Sequence, residues 1–187
     1  MNPAITNLVV VFGLMQVANK FQLDKEENTA YLRAAYLTMQ AIAFTALFIV
    51  YRKVVSRNDQ TPLIYEEAKS ALEPSNVETI RTTVRDYDVK KLIEAARSQL
   101  IAMAMIGFMH YKWGYLRPLL LQSVLGLKAI YQAQLVQVHL VGTPATGALA
   151  RPWKVPSPFG QTVKPTTEKE LKAKEKREAK KKLNHQD

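Results

Sequence analysis

The stretch LIEAARSQLIAMAMIGFMHY, residues 92–111, has the length and apolar character of a helix that crosses a bilayer, which takes roughly 20 residues. It also carries Glu94, Arg97, Gln99 and His110. Ionisable groups at membrane depth are costly unless they pair, reach the headgroups or face water inside a protein. Three accommodations fit the spacing. Arg97 lies about one and a half turns from the charged end of the segment, so its long side chain can snorkel back to the headgroups. Glu94 stands three residues before Arg97 and can pair with it. Alternatively, Arg97 and Gln99, with Gln122 and Ser123 of the next segment, line a watery recess between short helices, which would ease a hydrophilic flank into the bilayer.

Met103, Met105 and Met109 fall in the same stretch, and Met15 and Met39 in other apolar segments. Flexible, polarizable thioethers fill gaps in helix bundles, and they also repack around many different apolar sequences. Combined with a polar recess, they describe a candidate substrate groove made of Arg97, Gln99, Met103, Met105, Met109, Gln122 and Ser123.

Outward from this stretch the chain alternates apolar and polar blocks. Residues 34–51, AAYLTMQAIAFTALFIVY, hold no charge, are bracketed by Arg33 and Arg52-Lys53, and have Tyr near both ends, as a membrane span does. Residues 4–23 form a marginal span. Residues 118–136, PLLLQSVLGLKAIYQAQLV, have a short apolar core interrupted by Gln122, Ser123, Lys128, Gln132 and Gln134, which suits a partly inserted or amphipathic helix. Basic residues crowd both ends of the polar stretch 52–91, so the positive-inside rule makes it a cytosolic loop, with the N-terminus cytosolic and residues 19–33 lumenal. Within it, Asp86 and Asp88 are placed to cap a helix beginning near Val89. The first twenty residues lack a basic n-region and a small-x-small cleavage site, so they are expected to be retained.

The expected architecture is therefore an all-α membrane protein: a membrane-embedded domain over residues 1–141 with two to three transmembrane helices and a shorter amphipathic one. A Pro/Gly-rich extended segment follows over 142–165, and then a charged tail over 166–187, helical or disordered. The average mean hydropathy of −0.13 conceals this division, because the tail offsets the apolar body.

A net charge of +10 draws the chain to polyanions. In the tail, Lys174, Lys176, Arg177, Lys180, Lys181 and Lys182 are candidates to contact ribosomal RNA or anionic lipid without sequence selectivity, the alternative being a simply solvated helix. With zero cysteines, disulfides, thiolate metal sites and cysteine nucleophiles are excluded. Three histidines, without a metal-ligand spacing, a nucleophile elbow or a phosphate-cradling glycine loop, give no sign of an enzyme, a metal site or a cofactor.

Several stretches, in order, resemble one family: MNP at 1–3, TTVRDYD at 82–88, AMAMIGFMH at 102–110, PLLLQS at 118–123 and HLVGTPATGALARPWKVPSPFG at 139–160. It is the fungal family first named as an inorganic phosphate transport protein of the Pho group and later as the third component of the SRP-independent (SND) targeting route. The resemblance runs from residue 1 to about 160, and TVRDYD and PATG…RP are its most specific parts. It implies a multi-pass protein of the endoplasmic reticulum membrane that helps target or insert membrane and secretory proteins, with the Sec translocon, other SND components and hydrophobic client segments as partners. It carries no catalytic residues across, and it also implies an older association with phosphate uptake, indirect if phosphate transporters need this route to reach the membrane; no small-molecule substrate is expected. Two alternatives stand beside it: transport of inorganic phosphate or its regulation, and a structural adaptor of the translocon.

Overall fold

A computed structural model describes residues 3–23, 25–70, 73–153, 166–167 and 173. The described chain is mostly helical and divides into two compact units, residues 1–53 with 91–142, and residues 54–90 with 143–187.

The first unit is helical. Helix α1 (Pro3–Phe21) ends at Gln22, whose positive φ of 50° turns the chain, with Leu23 N–H returning to the Ala18 carbonyl at 2.9 Å. Helix α2 (Thr29–Arg57) follows a 3₁₀ turn at Glu26–Asn28 and is 29 residues long. Helix α3 (Val84–Trp113) is 30 residues long, about 45 Å at 1.5 Å per residue. Helix α4 (Arg117–Gln132) has Pro118 in its first turn and breaks at Ala133, where the backbone becomes extended. Its continuation α5 (Gln134–Val141) leaves at 51° and is π-wound over Gln137–Val141. The break is satisfied internally: the Gln137 side chain donates to the Tyr131 carbonyl at 2.6 Å.

Side-chain contacts fix an up-down-up-down order in this unit. At one end Arg117 donates to Asn19 (3.2 Å) and Arg33 to His110 Nε2 (2.9 Å); at the other Lys128 donates to Asn7 (2.6 Å) and Lys53 to the His139 carbonyl (2.9 Å). The core joins α2 and α4 through Leu32, Tyr36, Met39, Leu116 and Leu119, with Met103 and Ile106 of α3 packed on it. Gly126 permits the α2–α4 approach, because a Cβ there would lie 2.6 Å from Met39 Sδ.

α2 with its preceding turn (Glu26–Arg57) and α3 are each long and apolar enough to cross a membrane, and so is the bent α4–α5 pair taken as one broken span. Large apolar side chains stand exposed along all of them, among them Leu37, Phe48, Ile101, Phe108 and Tyr131.

The second unit corrects the all-α expectation and the polar loop over 52–91. Between α2 and α3 lies a hairpin, β1 (Pro62–Ser70) and β2 (Glu73–Thr83), antiparallel in the register Tyr65↔Ile80. A short third strand, β3 (Thr166–Thr167), pairs antiparallel with β1 and completes a sheet of order β2-β1-β3. Its first strand buries Tyr65 on one face and leaves Ile64 and Glu66 half-buried on the other, and its second is rich in the β-branched types that favour a pleated surface, in NVETIRTT. Their abundant charge makes the same residues look like a solvated loop to a hydropathy average. The α2–β1 connection is short and tied to the start of α3, with Arg85 N–H on the Asp59 carbonyl (2.9 Å) and Val84 N–H on the Thr61 carbonyl (3.0 Å).

The start of α3 is a second correction. The helix begins at Val84, not near Val89, and the cap is Thr83, whose Oγ1 accepts from Asp86 N–H at 3.2 Å. Asp86 lies in the first turn, where its charge complements the dipole. Asp88 has a different role, in the site described next.

Candidate functional site

Each predicted groove residue occupies a definite place in the helical unit. Arg97 is exposed on α3, and its expected partner Glu94 is instead bonded to Lys91 at 2.9 Å. Gln99 is half-buried and donates to Gln40 Oε1 of α2 at 2.6 Å, a polar rung between two apolar helices. Met103 packs on the Tyr36–Met39 core, Met109 is half-buried, and Met105 is 62% exposed among other apolar groups of α3 such as Ile101 and Phe108.

The two residues of α4 do not join that set. Ser123 is buried and its hydroxyl donates back to the Leu119 carbonyl at 2.7 Å within its own helix. Gln122 lines a separate pocket between α1 and α4 with Asn7, Leu125, Lys128, Ala129 and Gln132. The structure thus brings Gln99 and Met103 together with Tyr36, Met39 and Gln40 of α2, and presents Arg97 and Met105 outward. The tail residues Lys174, Lys176, Arg177, Lys180, Lys181 and Lys182 lie outside the described residues, as does the second half of the 142–165 segment, residues 154–165.

Gln40 is the polar residue that the sequence reading passed over. It is an amide in the middle of an uncharged 18-residue segment, and it is 3% exposed. Its Nε2 has no hydrogen-bond partner, nor has the Tyr36 hydroxyl one turn earlier. Both are buried donors within an apolar helix pair, which marks the α2–α3 seam as a place where polar groups are held at a cost.

In the second unit the two most distinctive sequence stretches meet. Arg151 forks onto Asp88, with Nε and Nη2 each 2.6 Å from a carboxylate oxygen. Trp153 N–H donates to the Tyr87 hydroxyl at 2.7 Å, and its ring lies edge-on to Tyr87, which in turn meets Tyr65 of β1 edge-on. Arg151 also lies over the Trp153 ring at 5.2 Å. TVRDYD and PATGALARPW are therefore two halves of one clasp.

The family described as phosphate transport (Pho88) matches residues 1–184 of the chain. The chain belongs to this Pho88 family. A Saccharomyces cerevisiae relative, SRP-independent targeting protein 3, is 35% identical over 160 residues, covering 86% of this chain and 85% of that protein. Two Schizosaccharomyces pombe members are similar too. An uncharacterized protein is 36% identical over 167 residues (88% and 83% of the two chains), and an SRP-independent targeting protein 3 homolog is 31% identical over 156 residues (82% and 79%). No solved structure matches. Among the described residues of this Pho88 member, no group of His, Asp and Glu side chains is placed to hold a metal ion.

Proposed function

We propose that this chain is a multi-pass endoplasmic reticulum membrane protein that serves SRP-independent targeting and insertion of membrane and secretory proteins, acting through an open face of α3. One observation carries the reading: α3 is long and apolar enough to span, yet only 6% of its apolar window is buried by the rest of the chain. An apolar helix so little covered has lipid or another hydrophobic segment as its neighbour. Here that face carries a cation, Arg97, and a flexible thioether, Met105, while the Gln40–Gln99 rung lies behind it.

In this mechanism a client's hydrophobic segment lies along Met105 and Phe108, Met103 and Met109 adjust beneath it, and Arg97 solvates the client's polar flank as it enters. The Sec translocon and other SND components are the expected neighbours, and the basic tail is the expected ribosome or lipid contact. The names of the yeast relatives support the targeting role.

The test is site-specific crosslinking from Met105 to a stalled nascent chain with an internal hydrophobic segment. We expect a crosslink that Met105→Glu and Arg97→Glu abolish in neighbouring reporter positions. Equal crosslinking in wild type and variants would remove the α3 face from the mechanism.

A further inference from the structure

The turn that joins α3 to α4 carries an unbroken run of exposed residues, Tyr111, Lys112, Trp113, Gly114 and Tyr115. Gly114, at φ 68°, folds the chain back so that the Trp113 and Tyr115 rings stack at 6.0 Å, and Phe108 meets Trp113 edge-on at 5.7 Å. The start of α2 is held at the same level, because His110 Nε2 accepts from Arg33 while its Nδ1 donates to the Tyr115 carbonyl at 3.1 Å. Tyr31, in the first turn of α2, adds another exposed ring there. Among the described residues, the Trp113 indole N–H and the hydroxyls of Tyr31, Tyr111 and Tyr115 make no hydrogen bond.

Rings with an apolar body and an unmet polar tip fit neither water nor hydrocarbon well, and the boundary between the two suits both of their ends. The exposed cations Lys112 and Arg117 stand with them, able to keep their charges among headgroups while their stems cover apolar surface. The helix lengths agree with this placement. From Tyr31 to Tyr51, which is also exposed, α2 rises through twenty residues, about 30 Å, the thickness of a bilayer's hydrocarbon. Measured back from Trp113, the same length of α3 ends at Ile93, beside Lys91 and Glu94. Arg97, sixteen residues from Trp113, then lies about 24 Å away and within about 6 Å of the opposite boundary, where its side chain reaches the headgroups. A protein partner would account for the exposed rings, but not for the match of two helices to one bilayer.

We propose that Tyr31, Tyr111, Trp113 and Tyr115 form an anchor in the phospholipid interface at the α3–α4 turn, with the Trp113 indole N–H donating to lipid ester carbonyls, and that this anchor sets how deep α2 and α3 sit. The inference rests on the membrane placement proposed above and adds to it the depth of each residue.

Full-length protein is reconstituted into phosphatidylcholine vesicles whose lipids carry bromine either near the ester carbonyls or near the chain ends, and quenching of tryptophan emission is read. Trp113→Phe leaves only Trp153, which is 4% exposed, and serves as the blank. The Trp113 emission, taken as the difference from this blank, should be quenched about twofold or more by the carbonyl-level bromines and less by the chain-end ones. A second reporter, Ile101→Trp in the Trp113→Phe background, stands twelve residues, about 18 Å, from Trp113 along α3 and should show the reverse order. Chain-end quenching at Ile101→Trp with Trp113 quenched by neither lipid overturns the anchor and leaves the membrane placement standing; a second copy or another protein would then cover the turn. Trp113 quenched most by chain-end bromines overturns it too, by placing the turn inside the hydrocarbon. No quenching at Ile101→Trp refutes the placement, and the anchor with it. Should Trp113→Phe not fold, as judged by its thermal midpoint, Trp153→Phe leaves Trp113 as the sole reporter and reads its depth directly.

Discussion

Arg151 and Asp88, 63 residues apart, form a two-pronged ion pair in which the Asp side chain is 1% exposed and the Arg side chain 12%. Removing one partner of such a pair leaves a buried charge without compensation, at a cost of about 3–5 kcal/mol. Arg151→Ala and Asp88→Ala should each lower the thermal midpoint of the purified protein markedly. Trp153 reports on the same site, since it stacks beneath Arg151 and donates to Tyr87, and its emission should shift to the red. The chain has only one other tryptophan, Trp113, so Trp113→Phe isolates the signal. A wild-type midpoint in either variant would show that the clasp does not hold the unit together.

Gly126 makes a second prediction, on the helical unit. A methyl group there meets Met39 Sδ at 2.6 Å, and Met39 is 1% exposed, so its side chain has little room to retreat. Gly126→Ala should cost about 1 kcal/mol, and Gly126→Leu about 1–3 kcal/mol, by forcing α4 from α2. Met39→Ala combined with Gly126→Leu should recover part of the loss, because the two sites touch and couple. Additive effects in thermal unfolding would argue against the contact.

These contacts show where the sequence was informative and where it was not. The helices were legible because their apolar runs are local, and the family because its stretches lie in order. The hairpin was not, since its strands mix charged with β-branched residues. The Asp88–Arg151 pair leaves no periodic trace, because its partners are joined only by the return of the chain. Of the groove, Met103 and Met105 stand two residues apart, roughly 200° around a helix, so they cannot share a face; helical geometry alone separates the core methionine from the exposed one. Gln40 was the missed signal: a lone amide in an uncharged segment calls for a partner on a neighbouring helix.

Acid should loosen the second unit at the α2–β1 turn. The Asp59 carboxylate is held below its usual range first by the Thr61 hydroxyl at 2.6 Å, then by Thr61 N–H at 3.0 Å. A depressed folded-state value means the carboxylate contributes stability above its unfolded value, near 3.9, and loses it as pH falls through the folded one. Thr61→Ala and Asp59→Asn should therefore flatten the decline of the thermal midpoint below about pH 4 without steepening it at neutral pH. An unchanged acid limb in both variants would assign the decline to other carboxylates.

The clasp also decides how many times the chain crosses the bilayer in the proposed membrane arrangement. Asp88 lies in the first turns of α3, and Arg151, beyond α5, sits on it. If α3 crosses, the chain must cross back before residue 151, and the broken α4–α5 helix is the only apolar segment in between. Thr166 and Thr167 pair with β1, so they share the hairpin's side, and the six residues from there to Ala173 reach at most about 20 Å, short of the roughly 30 Å of hydrocarbon. Asn19, bonded to Arg117 just past the C-terminal end of α3, keeps the α1–α2 turn at that end of the helix. Because the chain has no cysteine, Thr79→Cys, Ala173→Cys and Lys25→Cys can be probed singly with a membrane-impermeant maleimide in sealed endoplasmic reticulum vesicles. Thr79→Cys and Ala173→Cys should label alike and Lys25→Cys should be protected, placing hairpin and tail together in the cytosol. Labelling of Thr79→Cys with protection of Ala173→Cys would mean that α4–α5 does not return the chain, and that the Asp88–Arg151 clasp does not form in the membrane.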